Sequence, residues 1–290
     1  MRLLDRMYMT SPVVRRASRW GRQVPRAIRR MNLQDGAFAD SPPILANSVP
    51  KSGTHLLTQI LMTMAERDYG TFWLSVPSRP YRERSEATML RALTRLVPGE
   101  LVSAHLFFEP AFHAELQRRN VAHVFVYRDP RDIVVSEADY LTRVNTWHGM
   151  HARFRALGSA EERVSLAIEG CTEGGRPAYP NVAERYRRYL GWLRQDQVLA
   201  VRFEDLIGHR RLETVREVVR FVARRAGRPD DEDAWVSAAL AGIDPGRSFT
   251  FRQGLAGGWR KAFTEVHREQ MKAVAGDLLI ELGYEEDVSW

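Results

Sequence analysis

The stretch ILANSVPKSGTHLL, residues 44–57, decides how this chain is read. An apolar run ends in Pro50-Lys51-Ser52-Gly53-Thr54 and turns apolar again at Leu56. The run PILANSV predicts a buried strand, and 52–68 a helix. Ser52 to His55 then fall at a helix N-terminus, where unpaired backbone N–H groups and the helix dipole favour an anion. Gly53 lets the backbone come close to that anion. Lys51 adds positive charge, and Ser52 and Thr54 add hydroxyl donors. In physical terms this is a phosphate cradle. It is not the nucleoside-triphosphate loop G-x-x-x-x-G-K-[ST], because Lys51 precedes the glycine and Ser48 stands five residues before Gly53. Taken alone, the segment reads equally as an ordinary helix N-cap beside a surface lysine.

Working outward, LVSAH (101–105), VAHVFVYR (121–128) and QVLAVRF (197–203) read as three further strands. Helices are predicted over 109–119, 130–142, 211–226 and 265–282, with a helical stretch from about 160 to 195. Strands followed by helices imply parallel pairing and a three-layer α/β domain with a central parallel sheet. Segments 70–99 and 143–180 read as irregular and polar. Ligands in such folds bind beyond the carboxyl ends of the strands, where these connections lie. The division expected is a basic N-terminal segment, 1–40, and one domain over 41–290.

The chain has 290 residues, 44% of them hydrophobic, which is enough for a sizeable core. A formal net charge of +7 favours anionic partners. Cys171 is the only cysteine, so an intrachain disulfide and a cysteine-rich metal site are excluded. No window is long and apolar enough to span a membrane, and no secretory signal is evident, so a cytoplasmic location is expected. Nine arginines crowd the first thirty positions, with Asp5 the only acid there. Val13, Val14, Ala17, Trp20, Val24, Ala27, Ile28 and Met31 fall near helical spacing, while Pro25 counts against one unbroken helix. The segment reads as a helix packed on the domain with a solvated arginine face. The rival is a basic amphipathic helix on the inner membrane surface.

A second segment, VYRDPRDIVVSEADY (126–140), repeats the logic. Arg128 ends a strand, Asp129 is a plausible cap, and Pro130 suits the first helical turn. Ser136 follows two turns later. Arg128 and Ser136 together suit a second phosphate, the guanidinium fork supplying charge and geometry. The alternative is a junction stapled by Arg-Asp pairs. Two anion sites on consecutive strands suggest a nucleotide phosphorylated at two places.

Here the sequence resembles the PAPS-dependent sulfotransferases, in their bacterial-type form. That family carries a Pro-Lys-Ser-Gly-Thr loop and a Tyr-Arg-x-Pro-Arg-Asp-x-x-x-Ser segment, which read PKSGTHL and YRDPRDIVVS in this chain. FRQGLAGGWRKAFT (251–264) is similar to the family's C-terminal Arg-Lys-Gly-x-x-Gly-x-Trp loop, and VRFEDL (201–206) to its strand ending in Glu-Asp-Leu. The resemblance implies a P-loop-type fold and transfer of the sulfuryl group of PAPS to a hydroxyl or amine, leaving PAP and needing no metal. It implies that Lys51 steadies the leaving group. Ser52, Gly53, Thr54 and His55 would wrap the 5′-phosphate, and Arg128 and Ser136 would bind the 3′-phosphate. Arg252, Gln253 and Gly254 would hold the 3′-phosphate from the other side, and Phe203 takes the place of a nucleotide-site tyrosine. SAHL (103–106) matches the position of the catalytic histidine, which makes His105 the general base.

Some positions depart from the pattern. Leu56 replaces an adenine-stacking tryptophan, Ser103 a lysine and Gln253 the loop lysine. The family's dimer motif stands as Arg260, Thr264, Glu265 and Glu269, leaving homodimerisation open. Trp73, Tyr81, Phe107, Phe108, Tyr140, Trp147 and Phe154 sit in or beside the irregular connections and read equally as the lining of an acceptor site or as core. With the basic segment they point to a carbohydrate or glycolipid. The rival acceptor is a small alcohol or phenol. A nucleotide-dependent kinase is the alternative enzyme, and a nucleic-acid module would lack any recognition motif beside its charge. HGMH (148–151) reads as acceptor-site or surface residues.

Overall fold

The structure is a computed structural model describing residues 24–33, 36–68, 74–75, 85–146, 148–227, 231–244 and 256–290. Helix α1 spans 24–31. Then follow β1 (Ile44–Ser48), α2 (Thr54–Met62), β2 (Arg67–Asp68), β3 (Leu74–Ser75), α3 (Glu86–Leu93), β4 (Glu100–His105), α4 (Pro110–Arg118), β5 (Ala122–Tyr127) and α5 (Pro130–Arg143). The second half holds α6 (Ala160–Glu169), β6 (Cys171–Glu173), β7 (Arg176–Tyr179), α7 (Val182–Arg187), β8 (Val198–Arg202), α8 (Phe203–Ile207), α9 (Arg211–Arg225), α10 (Glu232–Ala241), α11 (Trp259–Ala262) and α12 (Glu265–Glu281).

The main sheet runs in the order β2-β4-β1-β5-β8, with β3 also paired to β4, and every pairing in it is parallel. Period-two alternation sends successive β1 residues to opposite faces. Ile44 and Ala46 join Leu57, Ile60 and Leu61 of α2 and Val215, Val218 and Val219 of α9 in one core. Leu45 joins Val102, Phe125, Trp192 and Leu278 in the core on the other face. Each fully buried Leu or Ile contributes about 1.5–3 kcal/mol, so burial on both faces fixes the three-layer order. The expected α/β fold is the one observed.

Several sequence expectations are corrected in detail. The helix foreseen over 52–68 runs only Thr54–Met62, and Arg67–Asp68 is extended beside Glu100. Segment 70–99 is not wholly irregular: Ser85 caps α3 by accepting from the Thr88 amide. The helical stretch 160–195 is broken by the antiparallel pair β6-β7: Gly170, at positive φ, ends α6, and Gly174 and Gly175, also at positive φ, form the turn between the two strands. Phe203 starts a helix instead of ending a strand.

Helix α1 reverses its expected orientation. Arg26 and Arg29 look inward, and Arg30 stays exposed. Arg26 is buried and grips Glu100 through Nε and Nη2 at 2.8 and 2.9 Å, while Nη2 also donates to Arg95 O at 2.7 Å. Glu100 Oε1 accepts the Val97 amide at 2.7 Å as well. Guanidinium groups satisfy otherwise orphaned carbonyls here, which apolar side chains cannot do.

Candidate active site

The site forms where β1, β4 and β5 end side by side. After β1 the backbone turns through Lys51 at φ +70° and Gly53 at φ +95° before α2 begins at Thr54. The glycine is required twice over. Its φ is left-handed, and a Cβ there would sit 2.4 Å from Phe203 Cδ2. Gly53 offers no side-chain cap, so the first amides of α2 face the turn. Ser52 is fully buried, and its Oγ has no hydrogen-bond partner among the described residues. An orphaned buried hydroxyl beside a helix N-terminus fits an anion that is not part of the protein.

The parallel register Ala46↔Ser103 and Asn47↔Ala104 carries His105 alongside Ser48. His105 Nδ1 lies 3.0 Å from both Ser48 O and Ser48 Oγ. A carbonyl only accepts, so Nδ1 carries the hydrogen and Nε2 carries the lone pair. Ser48 Oγ continues to Thr54 Oγ1 at 2.5 Å, tying the imidazole to the start of α2. Burial lowers the His105 pKa to about 4, with His55 and Lys51 adding repulsion and the Ser48 carbonyl opposing. The ring is therefore neutral at neutral pH. His55, one residue into α2, is lowered by burial first and by Lys51 second. The Lys51 ammonium lies 3.9 Å above the Tyr140 ring.

Asn47 is a site residue the sequence reading missed. Its side chain donates to Leu106 O at 3.1 Å and accepts the Leu106 amide at 2.8 Å. Trp192 Nε1 donates to the same carbonyl at 2.8 Å. These bonds fix the residue after His105, and so the direction of the imidazole. The available signal was a single amide in an otherwise apolar strand.

At the end of β5, the Tyr186 hydroxyl donates to Arg128 O at 2.8 Å and accepts the Arg128 amide at 3.3 Å. Arg128 Nη1 donates to Lys51 O at 3.2 Å, which links the 44–57 and 126–140 segments directly. Its Nη2 lies 3.5 Å from Asp132, and its guanidinium stands 4.5 Å from the Phe203 ring. Phe203 thus wedges between Gly53 and Arg128. Ser136 is half-buried on α5, one turn after Asp132 and one before Tyr140, on the face between Arg128 and Lys51.

The Arg-Asp staple read as the alternative is present too, in the Arg128–Asp132 pair and, more closely, through Arg131. Arg131 is held by Asp129, at 2.8 Å, and by Glu285, and its guanidinium lies 3.9 Å from the Trp259 ring and 4.6 Å from the Trp290 ring, which meet edge to face. Glu204 of the Glu-Asp-Leu run accepts the Asp129 amide at 3.0 Å and the Tyr284 hydroxyl at 3.0 Å. Asp132 accepts the amides of Gly257 and Trp259 at 2.8 and 3.0 Å, anchoring the downstream end of the 251–264 segment. Arg252, Gln253 and Gly254 lie outside the described residues, as do Trp73, Tyr81 and Trp147.

The remaining acceptor-site candidates divide. Phe154 is fully buried and stacks edge-on with Tyr179, so it is core. Phe108 packs edge-on to Trp192. Phe107 lies beneath the Arg188 guanidinium at 3.4 Å, two residues beyond His105. In HGMH, His148 accepts the Met150 amide and His151 Nδ1 meets Leu141 O, so both serve local structure. Thr264 of the dimer-like motif caps α12 within its own chain, in a reciprocal box with His267.

By sequence alone, no curated protein matches the chain. Solved structures do resemble it. Mouse sulfotransferase SULT7A1, complexed with PAP, superposes with a TM-score of 0.56 at 15% identity, over 82% of this chain and 84% of that one. Retinol dehydratase in complex with androsterone and PAP gives 0.55 at 15% identity, over 84% of both chains. At such identity the likeness establishes the fold. The sulfotransferase domain model matches residues 41–283, nearly the whole chain from before the anion loop to the end of α12, and on that match the chain belongs to the sulfotransferase family.

Proposed function

We propose that this sulfotransferase moves the sulfuryl group of PAPS to an acceptor hydroxyl, releasing PAP. One observation supports this above the others. Lys51, the amides starting α2, His105 and Arg128 converge at the carboxyl ends of three adjacent strands, with Arg128 Nη1 bonded to Lys51 O. The orphaned Ser52 hydroxyl and the Cβ-free surface of Gly53 fit a phosphate against the loop. Ser52 to His55 would hold the 5′-phosphate end, and Arg128 and Ser136 the 3′-phosphate. Arg252, Gln253 and Gly254 complete the proposal on sequence grounds. Phe203, pressed between Gly53 and Arg128, would border the nucleotide.

PAPS supplies an activated sulfuryl group on a good leaving group. The chain's own work is positioning and charge placement. Lys51 Nζ places positive charge where the leaving oxygen gathers electrons. His105 Nε2 takes the acceptor proton, while Nδ1 stays bonded to Ser48 O and holds the ring's direction. A neutral imidazole is required for that step, and burial keeps it neutral.

The acceptor we favour is a carbohydrate hydroxyl. Arg188 over the Phe107 ring, two residues past His105, and Lys51 over the Tyr140 ring each pair an aromatic with a cationic group, a combination that suits a polar ring with many hydroxyls. A lipophilic alcohol is the second reading, since retinol dehydratase is seen with androsterone and with retinol. Calorimetric titration with PAP and with ATP-magnesium tests the nucleotide. PAP binding that weakens in Lys51→Ala and Arg128→Ala is expected. ATP-magnesium binding without PAP binding would make the protein a kinase. Labelled PAPS offered with a sugar panel and an alcohol panel then separates the two acceptor readings.

A further inference from the structure

Helix α1 presents its apolar side to solvent. Val24, Ile28 and Met31 are 52%, 55% and 85% exposed, at spacing i, i+4, i+7, and so form one stripe. Ala27 and Leu33 are exposed beside them. The inward contacts are polar instead. Arg26 is buried on Glu100, and Arg29 donates to Pro98 O at 3.1 Å and to Glu66 at 3.2 Å. The ion pair holds the helix on the domain with its apolar stripe outermost. Exposed apolar side chains grouped this way mark a surface that meets something.

We propose that this stripe docks on an anionic membrane. The charge around it selects that partner. Nine arginines and one acid occupy residues 1–30, and Arg30 is exposed beside the stripe. An apolar ridge with Arg30 beside it, preceded in sequence by an arginine-rich segment, matches an interface of acyl chains and anionic headgroups. A second copy of the chain would bring two arginine-rich segments together, which costs energy at short range. Nucleic acid would answer the arginines and leave Val24, Ile28 and Met31 uncovered.

The site of docking carries a consequence for the reaction, resting on the functional reading above. Glu100, where α1 is fastened, begins β4, and His105 ends it. At a rise near 3.3 Å per residue the two are roughly 17 Å apart along the strand. A docked molecule therefore turns Lys51 and His105 away from the bilayer. Acceptors reach that mouth from the aqueous side, so membrane contact and a glycolipid acceptor come apart.

The test uses the full chain and vesicles of phosphatidylcholine with or without phosphatidylglycerol, in a co-sedimentation assay. Binding to the phosphatidylglycerol vesicles is expected. The double variant Ile28→Glu/Met31→Glu, at solvent-facing positions, should weaken it about tenfold or more while PAP binding stays at the parent value. PAP affinity should also be unchanged when vesicles saturate the protein. Retained binding in the double variant would overturn the proposal in favour of charge alone. Equal binding to neutral vesicles, or none to either kind, would also overturn it. A concentration-dependent dimer abolished by the same variant, without vesicle binding, would assign the stripe to a second copy.

Discussion

Replacing Gly53 by alanine isolates the geometry on which the anion loop depends. Two costs arise. Alanine in a left-handed conformation (φ here is +95°) loses about 1–2 kcal/mol. The added methyl would meet Phe203 Cδ2 at 2.4 Å and Cε2 at 2.7 Å. An ordinary carbon contact is about 3.5 Å, so the ring must retreat by roughly 1 Å. Its other face already lies against the Arg128 guanidinium, and the ring is buried. Overpacking of this kind costs about 1–3 kcal/mol, bringing the total to about 2–5 kcal/mol. Phe203→Leu removes the clash and leaves the backbone strain. In a double-mutant cycle by urea unfolding, the double variant should be more stable than the sum of the singles by the overpacking part, about 1–3 kcal/mol. PAP affinity should fall in Gly53→Ala and recover in part in the double variant. Strict additivity, or a single-variant loss below about 0.5 kcal/mol, would refute the placement of Phe203 against the loop.

Four further outcomes are expected. His105→Ala should lower turnover about a hundred- to ten-thousand-fold while PAP binding holds, as calorimetry would show. Because the His105 pKa is lowered to about 4, its neutral form persists well below pH 6.5, so kcat/KM should not fall across an acid limb centred near 6.5. An inflection at that ordinary value, lost in His105→Ala, would show the imidazole to be less desolvated than this geometry makes it. Arg26→Met leaves Glu100 buried without its partner and should cost about 3–5 kcal/mol by urea unfolding, whereas an exposed pair would cost under 1. Asn47→Ala strands the Leu106 amide and should cost about 1–3 kcal/mol, with kcat reduced more than PAP affinity.

Much of the site was legible because its chemistry is local in sequence. A strand, a tight turn and a helix start need a glycine, and an anion there needs amides and a lysine, so residues 44–57 carry their own explanation. The same holds for Arg128 to Asp132, where cap, proline and guanidinium are consecutive. The unbroken burial of Ile44, Leu45 and Ala46, with Leu45 in one core and its two neighbours in the other, likewise follows from a strand covered on both faces.

What lay beyond the sequence are the pairings set by register and by distant contacts. Parallel alignment of β1 and β4 sets His105 against Ser48, 57 residues away, and so fixes its tautomer, while burial between the strands lowers its pKa. Arg131 sits in a cage closed by Glu285 and Trp290 at the far end of the chain. Helix α1 shows the limit most plainly. Periodicity located its two faces but gave the wrong one to the protein, because the choice turned on Glu100 and on the Arg95 and Pro98 carbonyls. Local propensity reports which conformation a segment takes, whereas which side it buries depends on groups that only folding brings near.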